Sequence, residues 1–214
     1  MLFYFLDADN SHHRKGEGAV PARKKIHKQD ILEAAVRVIR EHGASALSVR
    51  NIARELHVST QPLYSEFENF DSLKEELILF ARERYIQVHP HRYKDFGLAL
   101  LHFAKDEKEL FKFIFIRSRD KEEQIEDVNY DLTIKLLSEN LDMDTHSAKE
   151  LHKKMQYYTY SMAVMIATGY RNISEEEMDR ELTDIFKIML RHYKKIDDEE
   201  ECDYWLKRAR NLPE

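Results

Sequence analysis

A chain of 214 residues with five glycines and four prolines has few places to turn. An all-β fold needs a turn signal every 8–12 residues or so, and this chain cannot supply them. Helix formers such as Leu, Glu, Lys, Ala and Arg dominate instead. Hydrophobic residues make up 43 %, enough for a packed core. The predicted fold class is therefore all-α, with about nine helices and a short tenth read from the apolar period.

The length suits one large domain, or a small domain fused to a larger one. A single cysteine, Cys202, cannot form an intrachain disulfide, which points to a reducing compartment. The opening MLFYFLD is apolar but has no basic residues before it, and an acid follows too soon for a signal peptide. No stretch approaches the roughly 18 uncharged residues of a membrane span. These features predict a soluble, cytoplasmic protein with no membrane partner.

Along the chain, residues 1–22 lack a helical period and read as a flexible tail. A first helix is predicted from about Lys25 to His42, because Ile31, Ala34, Ala35, Val38 and Ile39 recur at helical spacing and Gly43 follows as a C-terminal cap. Short helices follow from Val49 to Leu56 and from Ser59 to about Phe67. Ser72 with Glu75 has capping-box spacing and opens a fourth helix that runs to about His89, before Pro90. Five more are predicted over 94–104, 107–118, 121–140, 145–169 and 174–195. Ser147 with Glu150 and Ser174 with Glu177 have capping-box spacing, and Gly169 reads as a C-cap. An acidic run, Asp197 to Glu201, precedes a short terminal helix around Tyr204, Trp205 and Leu206.

Charge is unevenly distributed. Ten cations against four carboxylates between Arg14 and Arg54 leave +6, so the rest of a chain of net charge −6 carries −12. A basic end on an acidic body suits an anionic partner such as nucleic acid. Within that end lies SVRNIARELHVSTQPLYSEF, Ser48 to Phe67. Two short helices flank a turn at Leu56–His57–Val58, and Ile52, Ala53, Val58 and Leu63 form the apolar set that locks them. This is helix-turn-helix patterning. In such a motif the second helix enters the major groove, with its N-terminal residues at the base edges. Those residues are Ser59, Thr60, Gln61 and Pro62; a Gln can read adenine, and Ser or Thr several bases.

The segment resembles the TetR family of bacterial regulators. The pattern is carried by Ile31, Ala34, Ala35, Gly43, Leu47, Ile52–Ala53, Leu56, Val58–Ser59, Leu63–Tyr64, Phe67 and Leu73. The resemblance implies a homodimer reading a palindromic operator in double-stranded DNA, phosphate contacts from Ser48, Arg50 and Tyr64, and repression released by an unidentified small-molecule effector. Lys25 and Lys28 before the motif and Lys74 after it complete the candidate DNA contacts. Three positions depart from the family pattern. His57 stands where Gly is usual, Glu66 where His is usual, and Phe70 where a Lys usually opens the fourth helix. His tolerates positive φ, so the turn should survive. The domain organisation this predicts is a tail over 1–22 and a helix-turn-helix domain with its connecting helix over 23–89. A ligand-binding and dimerisation domain follows over 90–196, then an acidic segment and short helix over 197–214.

Two amphipathic faces in the C-terminal half are candidates for a four-helix isologous interface. One carries Leu151, Met155 and Met165; the other carries Met178, Leu182, Ile185 and Met189. Aromatics and Met cluster in FKFIFI (111–116) and MQYYTYSMAVM (155–165). Such stripes pack cores, or line a cavity between helices. The candidate pocket residues are His102, Phe115, Tyr130, Tyr158 and Met162, with Tyr157 and Tyr160 as further polar contacts. The eleven histidines show no metal-ligand spacing, so neither a metal nor a cofactor is predicted. No nucleophile–base pair or phosphate-binding Gly loop points to an enzyme. The alternative function is a protein-interaction regulator of the same fold, coactivator-like, that no longer binds DNA; Glu66 and Phe70 are its support.

Overall fold

The computed structural model describes residues 26–87, 92–116 and 129–210. Among them are ten α-helices and one 3-10 turn. The predicted tail (1–22), Lys25, and the proline break at Pro90 lie outside the described residues. No described helix is long and apolar enough to cross a membrane.

Helix α1 (Lys28–His42) buries the predicted stripe. The His27 amide donates to Asp30 Oδ2 at 2.8 Å, which satisfies one of the first-turn donors. Gly43 ends the helix at φ +79°, with its amide on the Ile39 carbonyl at 2.8 Å. After a 3-10 turn at Ala44–Ala46 come α2 (Val49–Glu55) and α3 (Gln61–Glu66).

Helix α4 (Phe70–Tyr85) begins two residues before the predicted start. Its cap is Asn69, not Ser72. Asn69 Oδ1 accepts the Ser72 amide at 2.9 Å, and Ser72 Oγ accepts the Asn69 amide at 3.2 Å. The helix also ends before the predicted His89. The Gln87 amide reaches back five residues to the Arg82 carbonyl, a widened last turn that stops propagation.

The body consists of α5 (Tyr93–Asp106), α6 (Lys108–Phe115), α7 (Tyr130–Asn140), α8 (Thr145–Thr168), α9 (Glu175–Lys194) and α10 (Glu199–Arg208). Ser174 caps α9 as expected, accepting the Glu177 amide, and Gly169 ends α8 in the left-handed region at φ +73°. Ser147 lies inside α8, in keeping with the predicted start at 145, and the cap is Asp144; its Oδ1 accepts the Ser147 amide at 3.0 Å. Helix α8 runs through the middle of the body, packed on α5, α6, α7 and α9.

The N-terminal helices and the body share one continuous apolar core. Helix α1 packs on α2 and α4 on one side and on α6 on the other. Ion pairs Lys28–Glu76 and Arg84–Glu33 close α1 on α4. Phe111 of α6 is fully buried, with Phe103 at 5.9 Å and Phe115 at 4.9 Å between ring centroids. Helix α10 docks through Trp205, over which Lys194 lies at 3.7 Å, and through Arg208 Nε, which donates to the Asn140 carbonyl at 2.8 Å. Phe111→Ala should cost about 3–5 kcal/mol, like other truncations of large core aromatics. Tyr170→Ala removes a ring that is 83 % exposed and should stay within about 0.5 kcal/mol. Urea denaturation of both variants beside the parent reads the two values.

Candidate DNA interface and ligand cavity

The turn between α2 and α3 is built as the apolar pattern requires. The Val58 amide donates to the Ala53 carbonyl at 3.0 Å, and His57 takes the left-handed conformation at φ +56° that glycine would adopt more cheaply. Ile52, Ala53, Leu63 and Phe67 are buried beneath it. Arg37 Nε on Glu55 Oε1 at 2.6 Å fastens α1 to α2. Ser48 Oγ accepts the Asn51 amide at 3.2 Å, and Asn51 Nδ2 donates to the Ala46 carbonyl at 2.6 Å, which fixes how α2 starts.

What remains outside is the predicted reading surface. Ser59, Gln61 and Arg50 are exposed, Thr60, Pro62 and Ser48 are half-buried, and the Tyr64 ring is 62 % exposed although its neighbour Leu63 is buried. Two of the predicted cations are engaged: Lys28 pairs with Glu76 and lies over the Phe67 ring, and Lys74 pairs with Asp71 at 2.6 Å and lies over Phe70. Arg54, which sequence reasoning did not single out, is exposed one turn beyond Arg50 on α2.

The body holds a cavity of about 600 Å³ between α5, α8 and α9. Arg82 of α4 and Ile86 just after it line it, as do Asn129 and Thr133 at the start of α7 and Leu206 and Ala209 at the end of α10. Asn129 Nδ2 donates to the Ile86 carbonyl at 3.4 Å, joining α7 to the end of α4. The wall is apolar and aromatic along Phe96, Leu100, Leu182 and Phe186. Its buried polar members are Arg82, Asn129, Thr133, His152 and Thr159, and Tyr93 Oη lies 3.0 Å from His152 Nδ1. Gly97 lets α5 approach closely: a Cβ there would stand 3.0 Å from Leu182.

Residues 31–78 match the family model described as bacterial regulatory proteins, tetR family. This stretch is similar to the TetR-family N-terminal domain. Three solved structures overlap the chain more widely. A TetR-family regulator from Vibrio parahaemolyticus is 17 % identical, with 75 % of this chain and 97 % of that one covered and a TM-score of 0.49. Apo ActR from Streptomyces coelicolor is 17 % identical over 81 % and 99 %, with a TM-score of 0.48. ActR in complex with (S)-DNPA is 16 % identical over 79 % and 100 %, with a TM-score of 0.46. No curated protein sequence matches the chain. The likeness to the TetR type rests on the match at 31–78 rather than on these overlaps.

Behind the TetR-type domain, the residues named from sequence fall into three places. Phe115, Tyr157 and Tyr160 line the cavity; His102, Tyr130, Tyr158 and Met162 do not. His102 is exposed, and its Nε2 lies 2.6 Å from Glu175 Oε2. The Glu175 carboxyl, held also by Lys105, sits below its ordinary range. Tyr130 is about one-third exposed with its ring against His152, and Met162 is buried core. Of the residues named for a dimer face, Leu151, Met155, Met178 and Leu182 are buried within the protomer, and Met155 and Leu182 line the cavity. Met165, Ile185 and Met189 remain half-buried. The apolar period of α8 and α9 marks the faces they turn to α5, and a core stripe and an interface stripe have the same period. The cavity residues missed from sequence carried a signal: Arg82 and His152 are polar side chains at core spacing inside otherwise apolar stripes.

Tyr158 donates instead to Glu181 Oε2 at 2.6 Å. That hydrogen bond, with burial and the Glu181 and Asp184 charges, pushes its phenol up to about 12 from 10.0. Because the folded value is raised, the bond is fully present below pH 10 and is lost as pH rises through about 12. Ultraviolet titration should show one tyrosine ionising near pH 12, and Glu181→Gln should return it toward the ordinary tyrosine value of about 10.

Proposed function

We propose that the protein is a ligand-responsive transcriptional regulator, cytoplasmic and homodimeric, that represses from a palindromic operator until a small molecule enters the cavity. One observation carries the reading: the helix that begins beside the DNA-facing motif ends in the cavity wall. Helix α4 starts at Phe70, three residues after α3's closing Phe67, and its last turns supply Arg82 and Ile86 to the cavity. A second route runs through rings. Phe115 of the wall packs on Phe111 and Phe103, and Tyr85 stacks on Phe103 at 5.3 Å and accepts from Arg40 of α1. An occupant that moves either wall moves the head.

On DNA, Gln61 reads a base from the N-terminal end of α3, while Ser48, Arg50 and Tyr64 hold phosphates. The groove repeat spaces the two heads of a dimer by about 34 Å, so a displaced head loses its contacts. The effector must therefore prefer the DNA-incompetent state, and DNA must weaken effector binding by the same factor. The dimer face is the outer side of α8 and α9, where Ile188 is 61 % exposed on the same helix as half-buried Ile185 and Met189, and Met165 of α8 is also half-buried. A cluster of this kind invites an isologous partner. The pairing of Lys28 and Lys74 with carboxylates, and the exposed Glu66, favour the second reading, a regulator of the same fold that works through a protein.

Duplex binding separates the two readings. DNA affinity should fall steeply, on the order of ten-fold or more, between about 50 and 200 mM salt as counterions are released. Salt-independent binding, or none, supports the protein-interaction reading. Gln61→Ala should cost about 1–3 kcal/mol on the selected operator and relax one position, whereas Tyr64→Phe should weaken all duplexes alike. Fluorescence anisotropy on operator and random duplexes reads the difference. Ile188→Glu should yield a folded monomer by sedimentation, and an unchanged dimer would move the interface elsewhere.

A further inference from the structure

The wall of the cavity is unlike the rest of the molecule in charge. The chain carries −6 overall, yet the described wall holds four cations, Arg82, Arg92, Lys94 and Arg210, against one carboxylate, Asp179. Lys94 is the cation best placed to meet a ligand. It lies on the first turn of α5, mostly buried, with Nζ 3.0 Å from Thr183 Oγ1 and 2.5 Å from Asp179 Oδ1. The Asp179 side chain is 52 % exposed, so it can turn to water and leave Lys94 to an incoming anion. A second cation, Arg82, is buried where α4 meets the wall.

The wall also carries aromatic rings. Tyr93 packs on Phe186 at 5.2 Å and on Phe96 at 6.4 Å, and Phe115 packs on Tyr160 at 5.9 Å. Ring edges and faces of this kind favour offset or edge-on contact with another ring. A cavity of about 600 Å³ takes a drug-sized molecule. Arg92 is held by Asp95 at 2.7 Å, so the charge offered to a ligand centres on Lys94, which repels a cation and attracts an anion that displaces Asp179.

On the reading that this cavity is the effector site, we infer that the effector is an anionic aromatic molecule, its rings between the Tyr93–Phe186 and Phe115–Tyr160 pairs and its acid group on Lys94. The test uses the full chain and two fluorescent probes of one skeleton, 1-anilinonaphthalene-8-sulfonate and neutral N-phenyl-1-naphthylamine. The sulfonate should bind once per chain and at least ten-fold tighter than the neutral probe. Decanoate, an anion without a ring, should bind at least ten-fold more weakly than the sulfonate. Lys94→Gln should narrow the sulfonate's advantage at least three-fold, with circular dichroism unchanged. Leu100→Trp, and independently Thr183→Trp, should fill the cavity and abolish binding of both probes. Equal affinity for the two probes, both lost on filling, would overturn the anionic class and leave the effector site standing. Decanoate binding as tightly as the sulfonate would overturn the aromatic half. Sulfonate binding that survives filling in both folded variants would overturn the site itself, and the inference with it.

Discussion

The bidentate pair between Arg40 of α1 and Glu107, the residue before α6, fixes how the DNA-facing head sits on the body. Arg40 Nε lies 2.9 Å from Glu107 Oε2 and Nη2 lies 2.5 Å from Oε1, while Nη2 also donates to Tyr85 Oη at 3.1 Å. The Glu107 side chain is mostly buried, and these contacts hold the Arg40 guanidinium above its ordinary pKa. Apolar packing of α1 on α6 supplies adhesion but tolerates sliding; a planar fork on a carboxylate does not. This joint ties α1, and through it α2 and α3, to the body, and it stands next to the ring stack of Tyr85, Phe103 and Phe115. Whatever displaces α6 or the end of α4 is transmitted through a contact with a defined geometry.

The cavity follows from how α8 is packed. Its inner stripe is not uniformly apolar: His152 and Thr159 interrupt Leu151, Met155, Met162 and Ile166. Polar groups at such depth persist where they are hydrogen-bonded or where a ligand calls for them. Tyr93 answers His152 across the wall. Gly97 brings α5 near enough to enclose the space, and α10, clamped by Lys194, Trp205 and Arg208, also lines it.

Much of the fold was legible because the residues concerned act locally. Gly43, Gly169 and Ser174 punctuate the chain through their own backbone or hydroxyl chemistry, so they worked as read. Ser72 misled because two overlapping boxes compete, and the backbone took the one opened by Asn69. The site was less legible because it depends on direction as well as period. Met155 and Leu182 have the spacing of an interface and face a cavity; Ile188, outside that stripe, is 61 % exposed. Tyr158 looked like a polar contact for a ligand, but its partner Glu181 comes from another helix, which no window of sequence could show.

The central claim is that two of these heads, held rigidly by their bodies, read DNA as a pair. Selection of the full chain on a randomised duplex library, followed by footprinting of the enriched sites, tests it most directly. The account predicts an inverted repeat whose half-site centres lie about one helical turn, ~34 Å, apart, protected together at one concentration. Enrichment of an unrepeated site, or no enrichment over the starting library, would contradict it.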